Sequence, residues 1–199
     1  MTEDSVLSIV VEPPLNVANS LLDAARRLAV RVRENGGEVT WFRPEHYGAE
    51  ILRFLGNGDG LRVSMETGLR KAAKQVKEFG IKLAPPTLVE VEDGSALVVS
   101  RLMSSEDEVK TMAEAVSGEL VESGLEPTGE WGFHIPMARV SGEDNIQAVR
   151  DSLEDRDSPL ASWLLGGLSL ARVEDSPPDV YGCHRIEFIP LMRMGSRRR

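Results

Sequence analysis

A chain of 199 residues with 41% apolar residues can bury one good core or two small interlocked ones, which excludes disorder along its whole length. A formal charge of −9 and a pI near 5.0 exclude a long nucleic-acid groove, because such grooves need many Lys and Arg to neutralise phosphates. A narrow cleft for one phosphodiester or one nucleotide end needs only two or three local cations and stays open.

In chain order, the apolar run over 6–11 reads as a buried strand closed by Glu12, Pro13 and Pro14, with Asn16 or Asn19 able to cap the next element. Over 20–34, Leu21, Leu22, Ala25, Leu28, Ala29 and Val32 keep helical spacing while Arg26, Arg27, Arg31 and Arg33 take other positions; Asn35, Gly36 and Gly37 end that helix. Short strands are predicted over 39–42 and 51–55, around a connection from Arg43 to Gly48. Gly56 to Gly60 reads as a turn, lacking the Gly-Lys-Ser/Thr ending of a phosphate loop and a capped helix directly after it. A second helix spans 63–79, with Leu69, Ala72, Ala73 and Val76 inward and Arg70, Lys71, Lys74 and Lys77 outward.

Strands are predicted next over 81–83, 88–91 and 96–102, the last two joined by a hairpin turn at Glu92, Asp93 and Gly94. Ser105 to Glu108 carries a capping-box pattern before a helix over 106–123. A strand over 133–140, a helix over 145–152 and strands over 167–173 and 184–191 complete the pattern. Residues 1–194 read as a single domain and 195–199 as a basic tail. Each half offers a helix leading to a strand introduced by aromatic residues, Trp41 and Phe42 in one and Trp131 and Phe133 in the other, which points to a duplicated α+β unit.

The single Cys183 excludes an intrachain disulfide framework and a Cys-rich zinc site, as expected in a reducing cytoplasm. Glu3 and Asp4 stand where a signal peptide would be basic, and the run over 6–11 is too short to span a bilayer. A soluble, cytoplasmic protein without membrane association is the expectation.

Arg43-Pro44-Glu45 followed by Ile51-Leu52-Arg53-Phe54-Leu55-Gly56 resembles the first signature of the two-histidine phosphoesterases, in the RNA 2′,3′-cyclic phosphodiesterase and 2′-5′ RNA ligase branch. There, Arg-Pro-Glu-Asn precedes His-x-Thr and Leu-Arg-Phe-Leu-Gly. Phe133-His134 through Ala138-Arg139-Val140 resembles the second signature, and the ending from Leu168 through Tyr181 to Phe188 and Leu191 is similar to the family's. The resemblance covers nearly the whole chain. It implies a bilobal α+β fold with two antiparallel sheets flanking a central groove, helices packed outside, and one His-x-Thr on each side.

Strand alternation puts His and the residue two positions on upon one face, so each motif would present a proton carrier and a hydroxyl together. One imidazole takes a proton and the other returns one to the leaving oxygen, for which an unperturbed imidazole pKa is suited. Counting back from Leu52, the first His-x-Thr falls on Ala49 and Ile51, so imidazole and hydroxyl are both missing. The second motif keeps His134 but has Pro136 for its hydroxyl. His46 is the candidate replacement imidazole, either re-aimed by a bulge at Gly48 or else a solvent-facing loop residue.

Arg53 and Arg139 are the candidate phosphate-binding cations or else surface ion-pair partners, with strict alternation setting Arg139 opposite His134 unless the strand bulges. Trp131 and Phe133 are candidates for base stacking or core. His184 matches no catalytic position, and no metal or cofactor is expected. Three readings are open: a degenerate groove that binds an RNA end, nucleotide or cyclic phosphate; an active cyclic phosphodiesterase using His134 with His46; or a protein-interaction module with an unused groove, meeting an acidic partner through the basic helix faces. A monomer is expected because the family fold is self-contained.

Overall fold

The computed structural model describes residues 6–55, 59–104, 107–128, 133–154, 158–175 and 181–193. The first strand, β1 (Val6–Val11), is a buried apolar run ended by the two prolines, and Pro14 is itself the N-cap of α1 (Leu15–Glu34). Its carbonyl accepts from Val17 and Ala18 N–H at 2.9 Å, so neither Asn16 nor Asn19 caps the helix. The helix starts before Ser20 because Val17 and Ala18 extend its buried stripe back to the strand.

Next come β2 (Thr40–Trp41), a 3-10 turn at Pro44–His46, and β3 (Ala49–Leu55). Helix α2 (Asp59–Ala72) opens inside the expected turn: Asp59 and Gly60 are already helical, while Gly56 lies outside the described residues. It also stops well short of residue 79. Val76 and Glu78 are drawn instead to Met192, whose N–H donates to the Val76 carbonyl at 3.1 Å and whose carbonyl accepts from Glu78 at 2.9 Å. Tertiary pairing here overrides helix propensity.

The strands β4 (Phe79–Leu83), β5 (Thr87–Glu90) and β6 (Ala96–Met103) come after it. The β5–β6 hairpin closes as expected, with Gly94 at φ +79° and Asp93 accepting from the Ser95 N–H at 2.8 Å. Helix α3 (Glu108–Glu122) begins after Asp107 in a left-handed conformation (φ 53°), and the Ser104 hydroxyl oxygen accepts from Val109 N–H at 3.3 Å. Ser105 and Glu106 of the expected capping box lie outside the described residues. The chain continues through β7 (His134–Val140), α4 (Glu143–Ser152), β8 (Ala161–Leu165), β9 (Gly167–Asp175) and β10 (Tyr181–Pro190). Strand β8 was not anticipated: it is short, half-exposed and held by pairing with β4.

One antiparallel sheet runs in the order β10-β9-β1-β3, and a second runs β2-β7-β6-β4-β8 with β5 beside β6. Every described strand pairing is antiparallel. The inward stripes of the four helices join Ile9, Ala49 and Phe54 of the first sheet and Val98, Ile135 and Ala138 of the second in one hydrophobic core. This is the expected α+β architecture, two antiparallel sheets with helices outside. Among the described residues, no helix is long and apolar enough to cross a membrane.

Candidate functional site

The two motif strands share one irregularity. In β3 the pairing steps from Ile9–Leu52 to Val10–Glu50, leaving Ile51 as an extra residue; in β7 it steps from Val98–Ala138 to Val99–Pro136, leaving Met137 extra. Each is a β-bulge, and both extra side chains turn into the core. With the bulges as common origin, Arg53 is the counterpart of Arg139, Glu50 of Pro136, and Gly48 of His134.

Counting along the sequence without a bulge placed Ala49 and Ile51 at the motif positions. The structure puts both in the hydrophobic core, at 0% and 2% exposure, on the helix side. The face opposite the helices carries Glu50 and Arg53, which the bulge brings together although they are three residues apart. Arg53 holds Glu50 with both Nε and Nη2, at 3.0 and 2.7 Å, and Ser8 Oγ donates to the same carboxylate at 2.7 Å. An Arg so chelated has little charge left to offer an anion.

On β7 the bulge returns Arg139 to the same face as His134 and Pro136. It too is occupied: Nη2 lies 2.7 Å from Asp93 and Nε donates to Ser95 Oγ at 3.2 Å. The Ser95 hydroxyl and N–H, and then Arg139, hold the Asp93 carboxyl below its usual range. Pro136 is tolerated because the Phe133 carbonyl accepts from Leu102 of β6, at 2.8 Å, so alternation turns the residue 136 nitrogen away from β6. On that far side β2 pairs with Ala138 and Arg139, and the Phe42 N–H that follows donates to the Met137 carbonyl at 2.9 Å.

His134 is half-buried at the start of β7, directly across from Arg101 of β6. The Ala84 N–H donates to the Arg101 carbonyl, so Arg101 turns its backbone away from β7 and this is a non-hydrogen-bonded pair, the kind in which side chains approach most closely. Burial, followed by the positive charge of Arg101, lowers the His134 pKa from the ordinary 6.5. Both causes favour the neutral imidazole. Arg101 is exposed and has no carboxylate partner among the described residues. Sequence reasoning missed it because its relation to His134 exists only across strands.

His46 lies on the 3-10 turn with its ring edge-on to His184 of β10, centroids 5.0 Å apart, and its Nδ1 is buried without a hydrogen-bond partner among the described residues. Its ring neighbour is thus His184, whereas that of His134 is Arg101. The adjoining Tyr47 is 4% exposed, its hydroxyl has no partner among the described residues, and burial pushes its pKa up to about 12. Phe133 sits at φ 50°, a costly conformation for a bulky residue immediately before His134, and its side chain packs partly against the core. Trp131 lies outside the described residues, as do residues 195–199 of the expected tail.

The basic helix faces are partly engaged: Arg70 pairs with Glu187, and Arg31 pairs with Glu154 and donates to the Ser152 carbonyl. Arg31 also lines a cavity of about 230 Å³ with Leu28, Pro85 and Leu160, formed by α1, the segment after β4 and the segment leading into β8. Among the described residues no three His, Cys, Asp or Glu side chains converge to hold a metal ion.

No protein-family model matches the chain, and no curated protein does. Solved structures do. LigT of E. coli in its apo form superposes with a TM-score of 0.64 at 10% identity, over 96% of this chain and 99% of that one. TT0787 of Thermus thermophilus gives 0.63 at 18% identity, over 94% and 97%. Usb1 of Kluyveromyces marxianus with uridine monophosphate gives 0.56 at 10%, over 92% and 99%. LigT has also been solved with ATP, 3′-AMP, NADP+ and phosphate. The chain has the two-sheet α+β fold of LigT and its phosphoesterase neighbours, the fold that its motifs imply.

Proposed function

We propose that this chain is a two-histidine-phosphoesterase-like protein with a degenerate catalytic site, whose groove binds an RNA end or nucleotide with lost or weak phosphoester chemistry. The reading is carried by the bulge register, in which Gly48 and Glu50 stand where the other half has His134 and Pro136. Two-imidazole catalysis needs one base and one acid around the phosphate. His134 supplies one imidazole, its neutral form favoured by burial and by Arg101. That state can accept a proton or donate a hydrogen bond, and Arg101 is the nearby cation for a phosphate oxygen. On the opposite strand, the carboxylate Glu50 neutralises Arg53. The nucleotides and phosphate bound by structural neighbours support this ligand class.

A second reading draws on the unpartnered Nδ1 of His46: an active cyclic phosphodiesterase in which that imidazole acts with His134. Hydrolysis of nucleoside 2′,3′-cyclic phosphates and of a 2′-5′ linked dinucleotide separates the two. The degenerate site gives no turnover that His134→Ala changes, while 3′-AMP still binds. Turnover abolished by both His134→Ala and His46→Ala would establish the relocated pair instead.

A further inference from the structure

Strands β4, β6, β7 and β8 contain no Asp or Glu, although the chain has 32 of them. The same strands carry Lys82, Arg101, His134 and Arg139. Arg139 is held by Asp93, whereas Arg101 and Lys82 have no hydrogen bond or ion pair among the described residues.

Their placement follows from the pairing. Arg101 of β6 stands directly across from His134. Two residues further along β6, Met103 stands across from Lys82 of β4, and Lys82 in turn across from Ser162 of β8. Direct partners share a face, as do residues two apart on a regular strand, and the register shift of the β6–β7 pair lies outside this stretch, at Val98 and Val99. His134, Arg101, Lys82 and Ser162 therefore stand on one face of the second sheet. The intervening Ile81, Leu83 and Leu102 are buried in the core, so this face is turned away from the helices, and on it Arg101, Lys82 and Ser162 are all exposed.

The spacing suits a row of phosphates. Lys82 is a diagonal neighbour of Arg101, about 7–8 Å away at the backbone, and two strands and two residues from His134, about 12 Å. Consecutive phosphates on an extended nucleic-acid strand are separated by a similar step. Ser162 adds a hydroxyl donor beside Lys82, and Leu164, 50% exposed and on the same face through its partner Gly80, adds apolar surface for a base. Two free cations match a few phosphates, in keeping with a net charge that excludes a long groove. A phosphodiester strand is favoured over an acidic peptide because the row begins at His134, the proton carrier placed for a phosphoester.

We propose that Arg101, Lys82 and Ser162 form a phosphate track that seats a short single-stranded oligonucleotide across the second sheet, with its terminal phosphate at His134. This rests on the nucleotide-binding reading above and narrows its ligand from one nucleotide to a strand with at least two phosphates. The test compares 3′-AMP with an adenylate tetranucleotide ending in the same 3′-phosphate, by equilibrium dialysis on the full chain over a series of salt concentrations.

Wild type is expected to bind the tetranucleotide more tightly than 3′-AMP, with an affinity that falls more steeply with salt, by about 0.7 in log–log slope for each further phosphate engaged. Lys82→Ala should lower tetranucleotide affinity about tenfold, reduce that slope by about 0.7 and leave 3′-AMP binding in place. Lys82→Arg should keep both ligands, and Ser162→Ala should show a smaller loss confined to the tetranucleotide. Wild type binding the two ligands equally, or Lys82→Ala binding the tetranucleotide as wild type does, would overturn the track while the groove reading stands. Displacement of the tetranucleotide by an equal concentration of tetraglutamate would overturn it too, in favour of an acidic peptide. Wild type binding neither nucleotide ligand would overturn both readings.

Discussion

Strands β3 and β7 have the same shape and different contents. Each carries one bulge, each turns the extra residue into the core, and each returns an Arg to the open face two residues later. Upstream of the bulge they part: β7 presents His134 and Pro136, whereas Gly48 leads into β3 and Glu50 lies within it. The two strands share a bulged backbone and differ in the side chains it carries, which is intelligible physically. A bulge is fixed by pairing register and core packing, whereas an imidazole on an open face contributes little to folding.

The largest expected effect comes from rebuilding the missing half. Combining Gly48→His, Glu50→Thr and Pro136→Thr should raise 2′,3′-cyclic phosphate hydrolysis over wild type by about 100-fold or more, the usual contribution of one general acid–base catalyst. Ala49→His with Ile51→Thr, the pair suggested by plain counting, should give no activity and lose about 3 kcal/mol or more in urea unfolding, because both positions are core. Activity from the double variant but not the triple one would show that the bulge register is the wrong guide.

The two arginine counterparts give the next contrast. Arg53→Ala strands a buried carboxylate, so a loss of about 3 kcal/mol is expected in the same assay. Arg139→Ala should cost much less, since its partner Asp93 is exposed. Equal losses would mean that the Glu50 pair is not the buried unit described.

Much of this was legible in the sequence and some of it could not be. Helical periodicity located the stripes of α1 and α2, and the turn residues at Asp93 and Gly94 marked their hairpin, because those signals are local. The odd spacing between His134 and Arg139 was visible as a puzzle whose solution, the bulge at Met137, depends on β6. Arg101 became a site residue only through cross-strand pairing. Likewise, what faces the open side of β3 is decided by β1, so Glu50 was passed over in favour of Ala49 and Ile51.

Smaller effects probe the surroundings of the two halves. His134 has a depressed pKa when folded, so the unfolded chain binds more protons in the window just below pH 6.5 and stability should fall as pH drops through it. His134→Gln should flatten that part of the urea-midpoint profile. Arg101→Gln should flatten it less, since burial is the larger cause. Near His46, Tyr47→Phe removes a buried hydroxyl without a partner and should leave stability unchanged or raise it by about 1 kcal/mol in thermal unfolding. A clear loss would reveal a partner for that hydroxyl.

The central claim is that one imidazole, not two, attends the bound anion. Imidazole proton resonances, assigned with His46→Ala, His134→Ala and His184→Ala, can be followed by NMR while 3′-AMP is added at fixed pH. The account predicts that the His134 signal moves along a saturating curve and its pKa rises toward the ordinary value as the phosphate offsets Arg101, with His46 and His184 unmoved. His46 shifting with the same dissociation constant as His134 would contradict it and restore a two-histidine site.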